Sequence, residues 1–132
     1  MNQRFVDIVI WITALTYAGF AVWLGSRPDA LLEAFGIDDR TPAMATEIRA
    51  FYGGVELAIA VAMGLLWMRG DLFAALLIGG LPLAGAVLGR VLGMLLDGFS
   101  SLHLTMAAFE LIGGVLCFVG CWWVDKTQNA SE

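Results

Sequence analysis

The sequence predicts an all-α integral membrane protein, a four-helix bundle of up-down-up-down topology with a short surface helix between the first two spans. The composition argues against a soluble domain, because 60% of the 132 residues are hydrophobic and only 14% are charged. Apolar stretches cover about residues 5–25, 46–68, 72–96 and 102–124. At about 1.5 Å per residue, each can cross a hydrocarbon layer of roughly 30 Å. The last two connections are short, so consecutive spans are antiparallel neighbours in one domain, residues 1–132.

The first stretch is interpreted as an uncleaved span. Its apolar run is longer than the roughly 7–15 residues of a signal-peptide core, and of the basic residues only Arg4 precedes it. The loop that follows contains PDALLEAFGI, which begins with Pro28 and ends in Gly and Ile. This pattern indicates a short amphipathic helix at about residues 29–35, lying on the membrane surface.

Both termini are predicted to lie on one side of the membrane, because the number of spans is even. That side carries Arg4, Arg69 and Lys126, whereas the opposite side carries Arg27 and Arg40 among several acidic residues. Cytoplasmic loops are enriched in Lys and Arg, so this distribution predicts cytoplasmic termini.

Three charged residues lie deep in the predicted spans. We measure depth along each span from the end that lies opposite the chain termini. By this measure Glu56 is about 15 Å deep, Glu110 about 12 Å and Arg90 about 9 Å. All three therefore fall in the same half of the bundle, whichever way the protein is oriented. Charges at this depth cost several kcal/mol unless they are paired or hydrated, so we expect them to face the bundle interior.

Helical periodicity adds four more candidates, because each shares a helix face with one of the deep charges at about 100° per residue. Two of them belong to the second span, one ends the third span and one begins the fourth. The first span adds a weaker polar face with Thr13, Thr16 and Tyr17. The candidate ligand-binding residues are Glu56, Arg90, Glu110, Arg49, Tyr52, Asp97 and His103.

Two hypotheses account for these charges. In the first, they form a structural network of ion pairs, Glu56 with Arg90 and Glu110 with Arg49, that fixes the helix register. In the second, they line a functional polar pocket, which is the usual meaning of ionisable groups inside a membrane. The candidate set has three carboxyls and two arginines, so one carboxyl must bind a proton, bind a cation or pair with the histidine. We expect that carboxyl to be Glu56, with Arg90 as its counter-charge.

Glycines at helical spacing are expected to let the third and fourth spans approach other helices. They are Gly85, Gly89 and Gly93 in the third span and the pair Gly113 and Gly114 in the fourth. Small residues of this kind are typical of helix contacts within membranes. The same glycine-rich faces are candidates for the contact of a homodimer.

The remaining residues with distinctive chemistry predict no metal site and no cofactor. Cys117 and Cys121 share one helix face, where two small residues packed against a neighbour are the simplest interpretation. His103 is the only histidine, and it lies near a helix start. Pro82 is expected to kink the third span and to free backbone carbonyls near its middle. The net charge of −5 argues against a nucleic-acid partner.

Two motifs, TEIRAFYGGVELAIA and GRVLGMLLDG, followed by a glutamate in the last span, resemble the uncharacterised bacterial DUF4345 membrane proteins. The P…L…FGI pattern of the first loop also resembles that family, and the resemblance extends over roughly the whole chain. It implies a four-helix inner-membrane protein, more remotely similar to DoxX-type proteins, and it implies no reaction. The family pattern comprises Glu47, Arg49, Tyr52, Gly53, Gly54, Glu56, Gly89, Arg90, Asp97 and Gly98.

Three function classes remain open. The first is a protein that binds or transports a proton, a cation or a small ligand through the intramembrane pocket. The second is an accessory or assembly subunit of a larger membrane complex, with a purely structural ion-pair network. The third is a membrane-embedded enzyme, which the sequence disfavours because no nucleophile–base pair of recognisable type is present. The expected partners are the lipid bilayer, a second copy of the chain, and a small ligand or cation.

Overall fold

The computed structural model describes residues 3–129, which contain helices and no strand. Four helices are long and apolar enough to cross a membrane, which confirms the predicted all-α four-helix bundle. The third helix in chain order has α-helical ends and a π-helical segment between them. The helices are α1 (Gln3–Ser26), α2 (Asp29–Ala34), α3 (Pro42–Met68), α4 (Leu72–Asp97) and α5 (Ser101–Asn129).

The long helices alternate in direction along the bundle. The start of α1, the turn between α3 and α4, and the end of α5 lie together, and we call this the terminal end. The opposite end, which carries α2 and the turn between α4 and α5, is called the α2 end. Helix α1 packs on α3, α4 and α5, and the two most extensive helix contacts in the bundle, which are of similar extent, are α1 with α3 and α4 with α5.

The helix starts follow standard capping chemistry. Helix α3 begins at Pro42 rather than at about residue 46, because Thr41 caps it: the Met44 N–H donates to the Thr41 hydroxyl at 3.2 Å. Helix α4 is capped by Asp71, whose Oδ1 accepts the Ala74 N–H at 3.0 Å. These caps fix where each span begins.

The predicted helical phase of α3 is wrong, because residues Arg49–Val55 form a π-helix. Its i→i+5 hydrogen bonds turn the chain by less per residue than an α-helix does, so Arg49 and Glu56 no longer share a face. Arg49 is exposed, whereas Glu56 is half-buried. The π-helix also lies close to α1, since a Cβ on Gly53 would be 3.3 Å from the Cα of Gly25.

The main buried core fills the terminal half of the bundle. Its largest fully buried side chains include Ile10, Met63, Leu76 and Cys117, contributed by all four long helices. Van der Waals packing between these side chains holds the helices together there, because lipid tails are equally apolar and supply no hydrophobic driving force. The terminal half is therefore the close-packed part from which the helices extend toward the α2 end.

A second, smaller core lies at the α2 end. Leu31 and Leu32 of α2 are buried against Leu24 of α1 and Ile48 of α3. The short helix predicted between the first two spans is confirmed, but its apolar side faces the ends of two spanning helices. Helix α2 therefore covers part of the bundle end.

The prediction that Gly85, Gly89 and Gly93 permit a close helix contact is wrong within the described residues. A Cβ at any of these three positions would have no neighbouring heavy atom within 4 Å, so they lie on a side of α4 turned away from the other helices. The close approach is instead at Gly80, where a Cβ would lie 2.9 Å from the Cβ of Cys117.

The middle of α4 makes a polar contact with α1 and a glycine contact with α5. Pro82 lies inside the helix and has no N–H to offer the carbonyl four residues earlier. The neighbouring carbonyl of Gly79 accepts the Tyr17 hydroxyl at 3.0 Å, which ties α4 to α1. On α5, a Cβ at Gly113 would lie 3.0 Å from Leu83, so this glycine does permit a close contact.

Candidate functional site

The deep arginine is paired with a glutamate in the α2 half of the bundle. Arg90 of α4 donates from Nε and Nη2 to Oε2 and Oε1 of Glu110 on α5, each at 2.8 Å. The pair is largely enclosed, since 16% of the Arg90 side chain and 18% of the Glu110 side chain are exposed. Parallel hydrogen bonds of this kind are the strong form of an ion pair. The predicted proximity of Arg90 to a deep glutamate is confirmed.

The second deep glutamate forms no ion pair with any other residue among 3–129. Glu56 follows the π-helix directly, and its Oε2 is buried with no hydrogen-bond partner among residues 3–129. The predicted pairs Glu56–Arg90 and Glu110–Arg49 are therefore wrong. Glu110 occupies two nitrogens of Arg90, and the π-helix turns Arg49 toward the end of α1, where its Nε donates to the Gly25 carbonyl at 3.2 Å.

Both tyrosines of the chain lie within electrostatic range of these charges. Tyr17 of α1 is buried and close enough to Glu56 and Glu110 to interact with them electrostatically. Tyr52, half-buried in the π-helix, interacts in the same way with Arg90, and the two glutamates interact with each other. Each long helix thus contributes to one group, which we call the polar cluster: Tyr17, Tyr52, Glu56, Arg90 and Glu110.

Three predicted site residues lie outside the polar cluster. Asp97 is the last residue of α4 and is exposed. Arg49 of α3 is also exposed and lies next to the end of α1. His103 lies in the first turn of α5, where its ring stacks on Phe35 with 5.5 Å between the ring centroids. Asp97 and His103 are each about two helical turns, roughly 10 Å, from the cluster residue on their own helix. They belong to the rim of the α2 end.

Asp7 was not among the predicted site residues, although a single aspartate inside the first apolar stretch is a visible signal. Asp7 is half-buried near the terminal end, and its Oδ1 accepts the Trp67 Nε1–H at 2.9 Å. The Trp67 ring also contacts Trp11 edge-on, with 5.2 Å between centroids. This contact joins α1 to α3 at the end of the bundle remote from the polar cluster.

The two cysteines are buried, and both are free thiols. Cys117 Sγ lies 3.6 Å from Thr13 Oγ1, and the Cys121 thiol donates to the Phe73 carbonyl at 3.7 Å. Within residues 3–129, no group of three or more His, Cys, Asp or Glu side chains could hold a metal ion. The thiols therefore serve as small packing and hydrogen-bonding residues between α5 and its neighbours.

The family model described as "Domain of unknown function (DUF4345)" matches residues 5–121 of the chain. The chain belongs to the DUF4345 family. The matched range contains every residue of the polar cluster, and the description of the DUF4345 model assigns no activity to them. A search of curated proteins and a search of solved structures returned no significant match.

Proposed function

We propose that this DUF4345 protein binds a proton or a small cation at Glu56, within a polar site inside the membrane, and that it can exchange the one for the other. The observation that supports the proposal is the bidentate pairing of Arg90 with Glu110, which leaves Glu56 as the unpaired carboxyl of the polar cluster. A buried carboxylate without a hydrogen bond or counter-charge costs several kcal/mol in an apolar medium. Binding a positive charge removes that cost.

The charge balance of the polar cluster supports a monovalent partner. Glu56 and Glu110 together offer two carboxyls, and Arg90 compensates only one of them. A proton or a singly charged cation would neutralise the other without leaving an excess of positive charge. The hydroxyl of Tyr52 supplies further hydrogen-bonding capacity to the polar cluster, whereas Tyr17 donates its hydroxyl to the Gly79 carbonyl.

The proposed setting is a bacterial inner membrane. The four apolar helices make the chain a multi-pass membrane protein, and Arg4, Arg69 and Lys126 at the terminal end support a cytoplasmic position for that end. The α2 end, and with it the access to the polar cluster, would then face outward. We further propose that two copies associate through the glycine face of α4, which carries Gly85, Gly89 and Gly93. We also propose a remote relationship to DoxX-type proteins.

An accessory subunit with a structural ion-pair network is the second candidate function. The same Arg90–Glu110 pair favours it, because two parallel hydrogen bonds between α4 and α5 fix the register of these helices. Under this hypothesis Glu56 would carry no exchangeable charge. The two candidates therefore differ in what they predict for Glu56.

The test is an infrared pH titration of the purified protein in lipid nanodiscs. We expect a protonated-carboxyl band that changes between about pH 5.5 and 9, a window based on documented buried glutamates, and that disappears in Glu56→Gln. Glu47→Gln is the matched control, because Glu47 is an exposed carboxyl on the same helix. A wild-type protein without such a band, or a Glu56→Gln variant that keeps it, would refute the proposal and favour the accessory subunit.

A further inference from the structure

We propose that the cation taken at Glu56 is an amphiphilic organic ammonium ion, which reaches the polar cluster from the α2 end and replaces a proton there. This inference rests on the proposed function and names its ligand class. The exchange is balanced: the Glu56 carboxyl releases one proton to water, and one singly charged ammonium takes its place beside the carboxylate. No bond other than the O–H bond is broken.

The donor set at Glu56 suits an ammonium better than a metal ion. Divalent metal ions such as Ca²⁺ and Mg²⁺ take about six or more oxygen ligands. The polar cluster offers one unpaired carboxyl group, that of Glu56, because both oxygens of Glu110 are bound to Arg90. An ammonium can be held by one carboxylate. A cation can also bind over the ring face of a half-buried tyrosine such as Tyr52.

The packing around the polar cluster leaves access for an apolar body. The face of α4 that is fully buried at Leu76 and Gly80 continues toward the α2 end at Val87, Arg90 and Met94, where the residues are only half-buried. This face of α4 is thus fully buried in the terminal half and partly accessible in the α2 half. In the proposal, an alkyl chain contacts the partly accessible apolar side chains there.

Two methionines lie near the charged residues of α4 and α5. Met94 of α4 and Met106 of α5 are half-buried, one helical turn from Arg90 and Glu110 respectively. The methionine side chain is unbranched and flexible, and it adapts to ligands of different shape. A negative centre with adaptable apolar walls matches a molecule that has one positive group and an apolar tail.

Two sources could supply this chemistry, a free amine or the ammonium headgroup of a phospholipid. The experiment distinguishes the two sources by the surroundings of the protein. Binding of the free amine is measured in an uncharged detergent. Binding of the lipid headgroup is measured in phosphatidylglycerol nanodiscs with and without phosphatidylethanolamine. The probes at fixed neutral pH are n-octylammonium chloride, n-octanol and sodium chloride. The signal is the loss of the protonated-carboxyl infrared band when the probe displaces the proton.

We expect n-octylammonium to remove the band in wild type and in Glu47→Gln, and n-octanol and sodium chloride at equal concentration to leave it in place. Apparent affinity for n-octylammonium should fall at least about tenfold in Glu56→Gln, measured by calorimetry, because a charge-assisted hydrogen bond is lost. If the glutamine variant does not fold, Glu56→Asp should shift the band and weaken binding while keeping a carboxyl. A band that is lost only with phosphatidylethanolamine in the nanodisc assigns the ammonium to a lipid.

The failures of this inference and of the proposed function are distinguishable. If sodium chloride removes the band as well as n-octylammonium does, the site takes simple cations and the ammonium class is wrong. If the band responds to pH and to none of the probes, Glu56 binds only a proton. The ammonium inference is then wrong and proton binding at Glu56 is retained. If wild type shows no titrating band at any pH, both fall.

Discussion

Arg90 is bound to only one of the two deep carboxyls, and this choice determines the chemistry of the polar cluster. Helices α4 and α5 are joined by a short turn and pack extensively on each other, and Glu110 lies directly beside Arg90. Glu56 belongs to α3 and forms no ion pair among residues 3–129. The presence of three deep charges could be predicted from the sequence. Their pairing could not, because it depends on distances between helices that periodicity does not contain.

The Arg90–Glu110 pair should behave as a coupled unit. Replacing Glu110 alone by Gln is expected to cost roughly 3 kcal/mol of unfolding free energy, because a largely enclosed guanidinium loses its carboxylate. This is the low end of the usual range, since 16% and 18% of the two side chains remain exposed. The double variant Arg90→Gln/Glu110→Gln should cost less than Glu110→Gln alone. A double-mutant cycle of unfolding in mixed micelles measures the coupling, and a value near zero would contradict the enclosed pair.

At the scale of the helix, α3 shows which features of the fold are readable from sequence. Its start could have been placed correctly, because Thr41 followed by Pro42 is a recognised N-cap signature. The π-helix Arg49–Val55 has no such local signature. It coincides with the contact of Gly53 on Gly25 of α1, which is a tertiary feature. For this reason the predicted face shared by Arg49 and Glu56 was wrong.

The glycines of α4 give a second prediction at this scale. Gly80→Ala should destabilise the protein by about 1–3 kcal/mol, because the new Cβ would lie 2.9 Å from the Cβ of Cys117, which cannot move without its backbone. In the monomer, Gly85→Ala on the same helix should be neutral or stabilising by up to about 1 kcal/mol, because nothing within the chain lies within 4 Å and alanine favours helix. Unfolding in mixed micelles compares the two variants. Equal destabilisation by Gly85→Ala would show that the glycine face of α4 is covered in the native protein.

For the whole molecule, the main buried core and the Arg90–Glu110 ion pair occupy different halves of the bundle. The terminal half holds the core, which includes Tyr17, the α2 half holds the ion pair, and Glu56 lies at the middle of α3. The outer surface is apolar, with exposed fractions of 78% at Leu95 and 73% at Phe109, as expected of a surface that faces lipid. The four spans and the location of the deep charges followed from composition and span order alone. Under the proposed function, a cation would therefore bind outside the main buried core.

The central claim is that Glu56, and not Glu110, carries the exchangeable positive charge. The most direct test is an infrared pH titration that adds one variant, Arg90→Gln/Glu110→Gln, to wild type and Glu56→Gln. This variant removes the ion pair as a unit and leaves Glu56 in place. We predict a titrating protonated-carboxyl band in wild type and in Arg90→Gln/Glu110→Gln, and no such band in Glu56→Gln. A band that persists in Glu56→Gln and disappears in Arg90→Gln/Glu110→Gln would contradict the account and assign the exchange to Glu110.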